Sequence, residues 1–174
     1  MAWNTSIDHV QPGTFGVSHG SGLAGELIRH ATESWAGHAF VYIGDGRIIE
    51  AAPPAARINQ AHAYDDIRWA FKQPLTANQR RDIVWRAHAL VGTKYDDLAY
   101  IGFGLEVLKL RSGTQLDAVF KQDNWRVCSA LVDDCYQYAK VALDWVALKL
   151  QVGQSPNLVS PGMLLDLAAL KGWL

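Results

Sequence analysis

No stretch of this sequence approaches eighteen uninterrupted apolar residues, so no helix built from it is expected to span a membrane. Charge of one sign is also missing. The chain has 16 Lys and Arg against 17 Asp and Glu, and no block of like charges stands out. That balance gives no electrostatic reason to expect nucleic acid or an anionic membrane surface as a partner. The N-terminus, Met1-Ala2-Trp3-Asn4-Thr5, lacks a basic region followed by an apolar core. A secretory signal is therefore not expected, and the cytoplasm is the expected location, with export by a signal-independent route left open. Internal repeats and low-complexity linkers are absent. Cysteine is scarce, with Cys128 and Cys135 seven positions apart. On one helix they would share a face roughly 10 Å apart, beyond disulfide reach. A reducing compartment is the simplest reading of that usage.

What is present describes one folded unit. A chain of 174 residues, 49% of them apolar, can bury a sizeable core, and residues 1–174 read as a single domain. Leu23, Leu27, Ile28 and Ala31 recur at helical spacing between Ser21 and Thr32. His38 to Ile43 and Arg47 to Ala52 read as strands joined by Gly44-Asp45-Gly46, a hairpin signal. Ile67 to Gln73 is a third expected strand, stopped by Pro74. Thr76-Ala77-Asn78-Gln79 has the capping-box pattern. The helix it opens should bury Ile83, Val84, Ala87, Leu90 and Val91 and stop at Gly92. Leu98 to Leu110 is apolar and reads as a helix, and Ser112 to Asn124 as an exposed loop. Cys128 to Val141 is helical in pattern, and Ser160-Pro161 reads as an N-cap opening a last helix to Lys171. Early strands flanked by helices give an α+β class, with a small antiparallel sheet packed against helices.

Cys128 lies where the polar run ending in Trp125-Arg126 turns into an apolar helix. A thiol at a helix N-terminus meets unpaired N–H groups and the positive end of the macrodipole, which favour the nucleophilic thiolate. The plainer alternative is a small buried apolar residue, as many free cysteines are. A cysteine nucleophile needs a base, and the base needs an orienting partner. Of six histidines, His30 and His88 fall inside expected helices, and His9, His19 and His62 in loops. His38 opens a strand. Glu50 sits inside the apolar run Ile48-Ile49-Glu50-Ala51-Ala52, where a carboxylate is costly without a partner. A three-residue loop would set Ile43 opposite Arg47 and Phe40 opposite Glu50, making His38 and Glu50 diagonal neighbours on one face. A loop of two or four residues would turn Glu50 away. The alternative is a strand-end histidine and a solvated edge carboxylate.

The segments Gly37-His38-Ala39-Phe40-Val41-Tyr42-Ile43-Gly44, Arg47-Ile48-Ile49-Glu50-Ala51, Val91-Gly92-Thr93-Lys94-Tyr95-Asp96 and Cys128-Ser129-Ala130-Leu131-Val132 resemble the NlpC-like superfamily of papain-fold cysteine hydrolases. The histidine strand precedes the cysteine here, which resembles the circularly permuted, YiiX-like branch. The resemblance covers roughly residues 20–170. It implies a permuted papain-like fold, Cys128 as nucleophile, His38 as base and Glu50 as the group orienting His38. It also implies Tyr95 and Ser129 as substrate-binding residues. Thiol chemistry of this kind requires no metal or cofactor, and no third or fourth ligand joins His38 and Glu50 at sensible spacing. Relatives often carry serine where this chain has Gly37.

The activity implied is cleavage of an amide bond, in a cell-wall peptide such as a peptidoglycan fragment or in an acylated amine, through an acyl-enzyme. A lipid-directed thiol hydrolase or acyltransferase is the alternative, because permuted relatives resemble the lecithin–retinol acyltransferase group; Leu98 to Leu110 would then be an acyl-binding wall. A binding module that kept the fold and lost turnover is the third reading. The expected partner is a small-molecule or peptide substrate, or a lipid.

Overall fold

The computed structural model describes residues 6–20, 22–94, 128–143 and 159–174. The sheet is organised by the hairpin of β2 (His38–Gly44) and β3 (Arg47–Ala52). Its turn differs from the expected three-residue loop. Gly44, not Ile43, pairs with Arg47. Asp45 and Gly46 both have positive φ, 53° and 70°, as an Asp-Gly two-residue hairpin turn requires. A register shift between Tyr42 and Gly44 then inserts one extra residue in β2. Turn and bulge cancel, so Phe40 faces Glu50, as the longer loop would also have arranged.

Two strands have no counterpart in the sequence reading. β1 (Phe15–Ser18) pairs with β2, and β4 (Ala55–Gln60) pairs with β3 through the Pro53-Pro54 turn. The expected strand from Ile67 to Gln73 shortens to β5, Ile67–Trp69, which pairs with the free side of β1. Among the described residues the sheet order is β4-β3-β2-β1-β5, and every pair is antiparallel. Gly16 suits β1 because the aromatic rings of both neighbouring strands close over it. A Cβ there would lie 2.6 Å from the Phe40 ring and 2.8 Å from the Trp69 ring.

Alternation along the strands separates two apolar faces. Phe15, Val17, Ala39, Val41, Ile49 and Ala51 join the larger core with the helices. Phe40, Tyr42, Ile48, Ile67 and Trp69 form a second cluster with Val10 and Ala61. Helix α1 spans Gly22–Thr32 and buries Ile28. Helix α2, Ala77–Leu90, starts at Thr76, whose side chain accepts from the Gln79 N–H while Gln79 accepts in return from the Thr76 N–H. It buries Ile83, Ala87 and Leu90. Val91, expected inside, is 41% exposed because it caps the helix instead of continuing it, and Gly92 follows with φ +85°. Helix α3 spans Cys128–Tyr138 and α4 spans Pro161–Leu170. The Ser160 hydroxyl accepts the Met163 N–H at α4, with Pro161 in the first turn.

Helix α3 is pinned to the sheet and to α2. The buried Tyr136 hydroxyl lies 2.9 Å from the Gly13 carbonyl and 2.8 Å from Gln73 Oε1, and its ring meets Phe15 edge-on. Arg86 of α2 donates to both oxygens of Asp134. Tyr136 lies about two helical turns after Cys128, on the same side of the helix. The anchor that fixes α3 therefore also fixes where its first residue stands. Among the described residues no helix is long and apolar enough to cross a membrane. The expected helix from Leu98 to Leu110 and the expected loop from Ser112 to Asn124 lie outside the described residues.

Candidate active site

Three elements bring the candidate residues together. Cys128 is the first residue of α3, His38 the first of β2, and Glu50 the fourth of β3. The Cys128 side chain and the His38 imidazole are hydrogen-bonded. His38 Nε2 lies 2.8 Å from Glu50 Oε2, which leaves Nδ1 as the ring nitrogen for the sulfur. Glu50 is fully buried, and β3 runs between β2 and β4, so it is neither solvated nor on an edge strand. Neither Cys128 nor Cys135 is in a disulfide, and both are fully buried. Cys135 lies two turns inside the same helix, in the apolar core.

Glu50 has more partners than His38. Its Oε1 accepts from Arg57 Nε and Asn59 Nδ2, both at 2.9 Å, and its Oε2 accepts from the Tyr64 hydroxyl as well as from His38. Burial alone would push the Glu50 carboxyl up. The bonds and charge of His38, with Tyr64 and Arg57, outweigh it and hold Glu50 down at about 2. An ionised carboxylate only accepts, so Nε2 must carry the imidazole proton. Burial also works against a charged His38. The Cys128 charge and hydrogen bond, followed by those of Glu50, raise the imidazole to about 9. Burial and the bond to Glu50 push the Tyr64 hydroxyl far above the usual phenol range, so it remains a donor.

Tyr64, Arg57 and Asn59 were missed by the sequence reading. Arg57 lies directly opposite Glu50 on β4, and Asn59 is two residues further on the same face. Tyr64 follows the short helical turn Ala61–Ala63, and its N–H donates to the Ala61 carbonyl. A Pro-Pro turn after β3 is the signal that could have revealed β4 and its register. Nothing in the local pattern around Tyr64 points to Glu50.

Of the expected substrate-binding residues, Tyr95 lies outside the described residues. Ser129 is fully buried, and its hydroxyl donates to the Val159 carbonyl at 2.5 Å. That bond ties the first turn of α3 to the segment before α4. Gly37 has a steric reason to be glycine. A Cβ there would overlap the His19 carbonyl and come within 2.8 Å of the Gly25 carbonyl. A serine before His38 could therefore not fit without moving both the backbone at His19 and α1. Among the described residues, no three His, Cys, Asp or Glu side chains are arranged to hold a metal ion.

No protein-family model matches the chain, and no curated protein matches it.

Proposed function

We propose that this chain is a thiol-dependent hydrolase with a permuted papain-like arrangement, cleaving an amide bond through an acyl-enzyme on Cys128. One observation carries the reading. A cysteine at a helix start is hydrogen-bonded to a buried imidazole whose far nitrogen is held by an ionised, fully buried carboxylate. A structural cysteine in an apolar core needs neither the base nor the orienting group.

The residues suggest a definite course. His38 holds the Cys128 proton on Nδ1, while its Nε2–H stays on Glu50. The imidazolium that results is stabilised by that carboxylate. The thiolate attacks the substrate carbonyl carbon, and the oxyanion that forms needs a donor, which the Cys128 backbone N–H at the open end of α3 supplies. His38 returns its proton to the leaving amine as the C–N bond breaks. Water then attacks the thioester, giving its proton to His38, and Cys128 leaves as the thiolate. Two cysteines on one helix, neither in a disulfide, fit a reducing compartment such as the cytoplasm.

The test is turnover on peptidoglycan fragments, acyl-amino acids and phospholipids by wild type and Cys128→Ala. Amide cleavage lost in the variant, with a Cys128 thioester trapped by acid quench and found by mass spectrometry, is the expected result. Turnover of phospholipids alone would favour the lipid-directed reading. Amide turnover unaffected by Cys128→Ala would end the proposal.

A further inference from the structure

We propose that Tyr64 is a positioning residue for the Cys128–His38 pair, acting on the imidazole through Glu50 and through its own ring. The inference rests on reading Cys128 and His38 as nucleophile and base.

The geometry gives Tyr64 two separate handles. Its hydroxyl donates to Glu50 Oε2, the oxygen that also accepts His38 Nε2–H. Two donors thus share one oxygen, and each draws on the same electron density. Its ring lies beside the imidazole, with centroids 5.4 Å apart and planes 33° apart, and stacks on Phe40 at 5.2 Å and 25°. Phe40 also flanks the imidazole, at 5.8 Å. The His38 ring is therefore held at one edge by a carboxylate and beside its plane by two aromatic rings. Rotation about its Cβ–Cγ bond would break the Nε2 bond and swing Nδ1 away from the thiol.

The hydroxyl has a signed effect. The groups facing Glu50 are His38 from β2, Arg57 and Asn59 from β4, and Tyr64; the group facing the other side of His38 is Cys128 from α3. Arg57 and Asn59 occupy Oε1, so they do not compete directly for the oxygen that His38 uses. Tyr64 does. Its bond spreads the carboxylate charge and weakens the hold on the imidazolium proton. Tyr64 moderates the base: Glu50 keeps the imidazole charged, and Tyr64 stops it from holding the proton too tightly to release it to a leaving group.

The two handles separate by substitution. Tyr64→Phe deletes the hydroxyl and keeps the stacked ring, which preserves the cluster around Phe40. Tyr64→Leu deletes both. In the full chain, the His38 ring titration is followed by NMR, and alkylation of Cys128 by iodoacetamide is followed by mass spectrometry against Cys135 as internal reference. Removal of the hydroxyl should move the His38 titration upward by roughly half a unit to one unit, the scale of one charge-assisted bond shared between two donors. Tyr64→Leu should shift it likewise and also slow Cys128 alkylation several-fold relative to Tyr64→Phe. A purely structural tyrosine would lower thermal stability and leave the titration in place. A His38 titration unmoved or lowered in Tyr64→Phe overturns the proposal. The nucleophile reading fails by a different result, Cys128 alkylating no faster than Cys135 in the wild type, and the His38 titration still reports on Tyr64 in that case.

Discussion

Glu50→Gln is the substitution whose consequence the structure fixes most closely. Glutamine keeps the volume and one acceptor oxygen but replaces the other with an NH2 group. Four donors converge on the Glu50 carboxylate, from His38, Arg57, Asn59 and Tyr64. At least one must then face another donor. The folded protein lowers the Glu50 carboxyl from 4.5 to about 2. That difference of about 2.5 units, at about 1.4 kcal/mol each, means ionised Glu50 contributes about 3 kcal/mol to stability. Removing one partner of a buried ion pair costs about 3–5 kcal/mol by a separate route, so the two figures agree. The rise of His38 from 6.5 to about 9 comes first from Cys128 and then from Glu50, and the Glu50 share is the same interaction seen from its other end, so it is not added. The Arg57 side chain is half exposed, and solvent screens its share. The sign follows from linkage. With a folded value below the unfolded one, the contribution is complete above about pH 4.5 and is lost as pH falls toward 2. Urea unfolding of wild type and Glu50→Gln at pH 7 should differ by about 3 kcal/mol, or roughly 6–12 °C in melting temperature for a chain of this size. The gap should narrow below pH 4.5. Equal destabilisation at pH 7 and pH 3 would mean lost packing, not lost charge, and would refute the electrostatic role of Glu50.

Cys128 should alkylate faster than Cys135 near neutral pH, because Cys128 is bonded to an imidazole; mass spectrometry after limited iodoacetamide treatment reads this, and equal or reversed labelling counts against an activated thiol. Turnover should fall at high pH as His38 loses its proton near 9, so a pH–rate profile whose alkaline limb sits near 6.5 instead would mean that Cys128 and Glu50 do not hold the imidazolium. The same raised value stabilises the fold below about pH 6.5, and that contribution should disappear as pH rises through about 9. Gly37→Ser should destabilise by about 1–3 kcal/mol, since its Cβ meets the backbone of His19 and Gly25, which cannot rotate away as a side chain could; a neutral thermal melt would show that α1 yields easily.

The parts of the fold that repeat a local rule were legible. The Thr76–Gln79 capping box, the Ser160-Pro161 helix start and the β2–β3 hairpin each lie in a few adjacent residues, and each was found where the pattern put it. The hairpin shows how a correct outcome can follow from an incorrect intermediate. Asp45-Gly46 alone favours the two-residue turn, and that turn without a bulge would have sent Glu50 to the other face. The compensating bulge beside Gly44, whose φ of +100° suits glycine alone, is a choice made by the pairing of whole strands. Four-residue β1 was hidden for a related reason. Its Gly16 reads as a breaker in isolation, and becomes favourable only when the Phe40 and Trp69 rings are already on either side.

The candidate site was half legible, and the missing half follows from counting lone pairs. A buried carboxylate offers about four acceptor sites, and a single histidine fills one. The need of Glu50 for one partner points to His38 and no further. Its burial demands more donors, because a charge at 0% exposure is tolerated only when nearly all of those sites are met. The next strand had to supply them. A two-residue Pro53-Pro54 turn pairs Ala52 with Ala55, which sets Arg57 opposite Glu50 and Asn59 one step along the same face. Both are donor side chains in a segment whose other-face residues, Ala56 and Ile58, are apolar. The fourth donor, Tyr64, arrives by a turn that no periodicity marks, so its link to Glu50 exists only once the chain has folded. Its role differs for the same reason. Arg57 and Asn59 balance a buried charge on the oxygen turned away from the base, whereas Tyr64 shares the oxygen that His38 needs, and of these three donors it is the one placed to adjust how firmly His38 holds its proton.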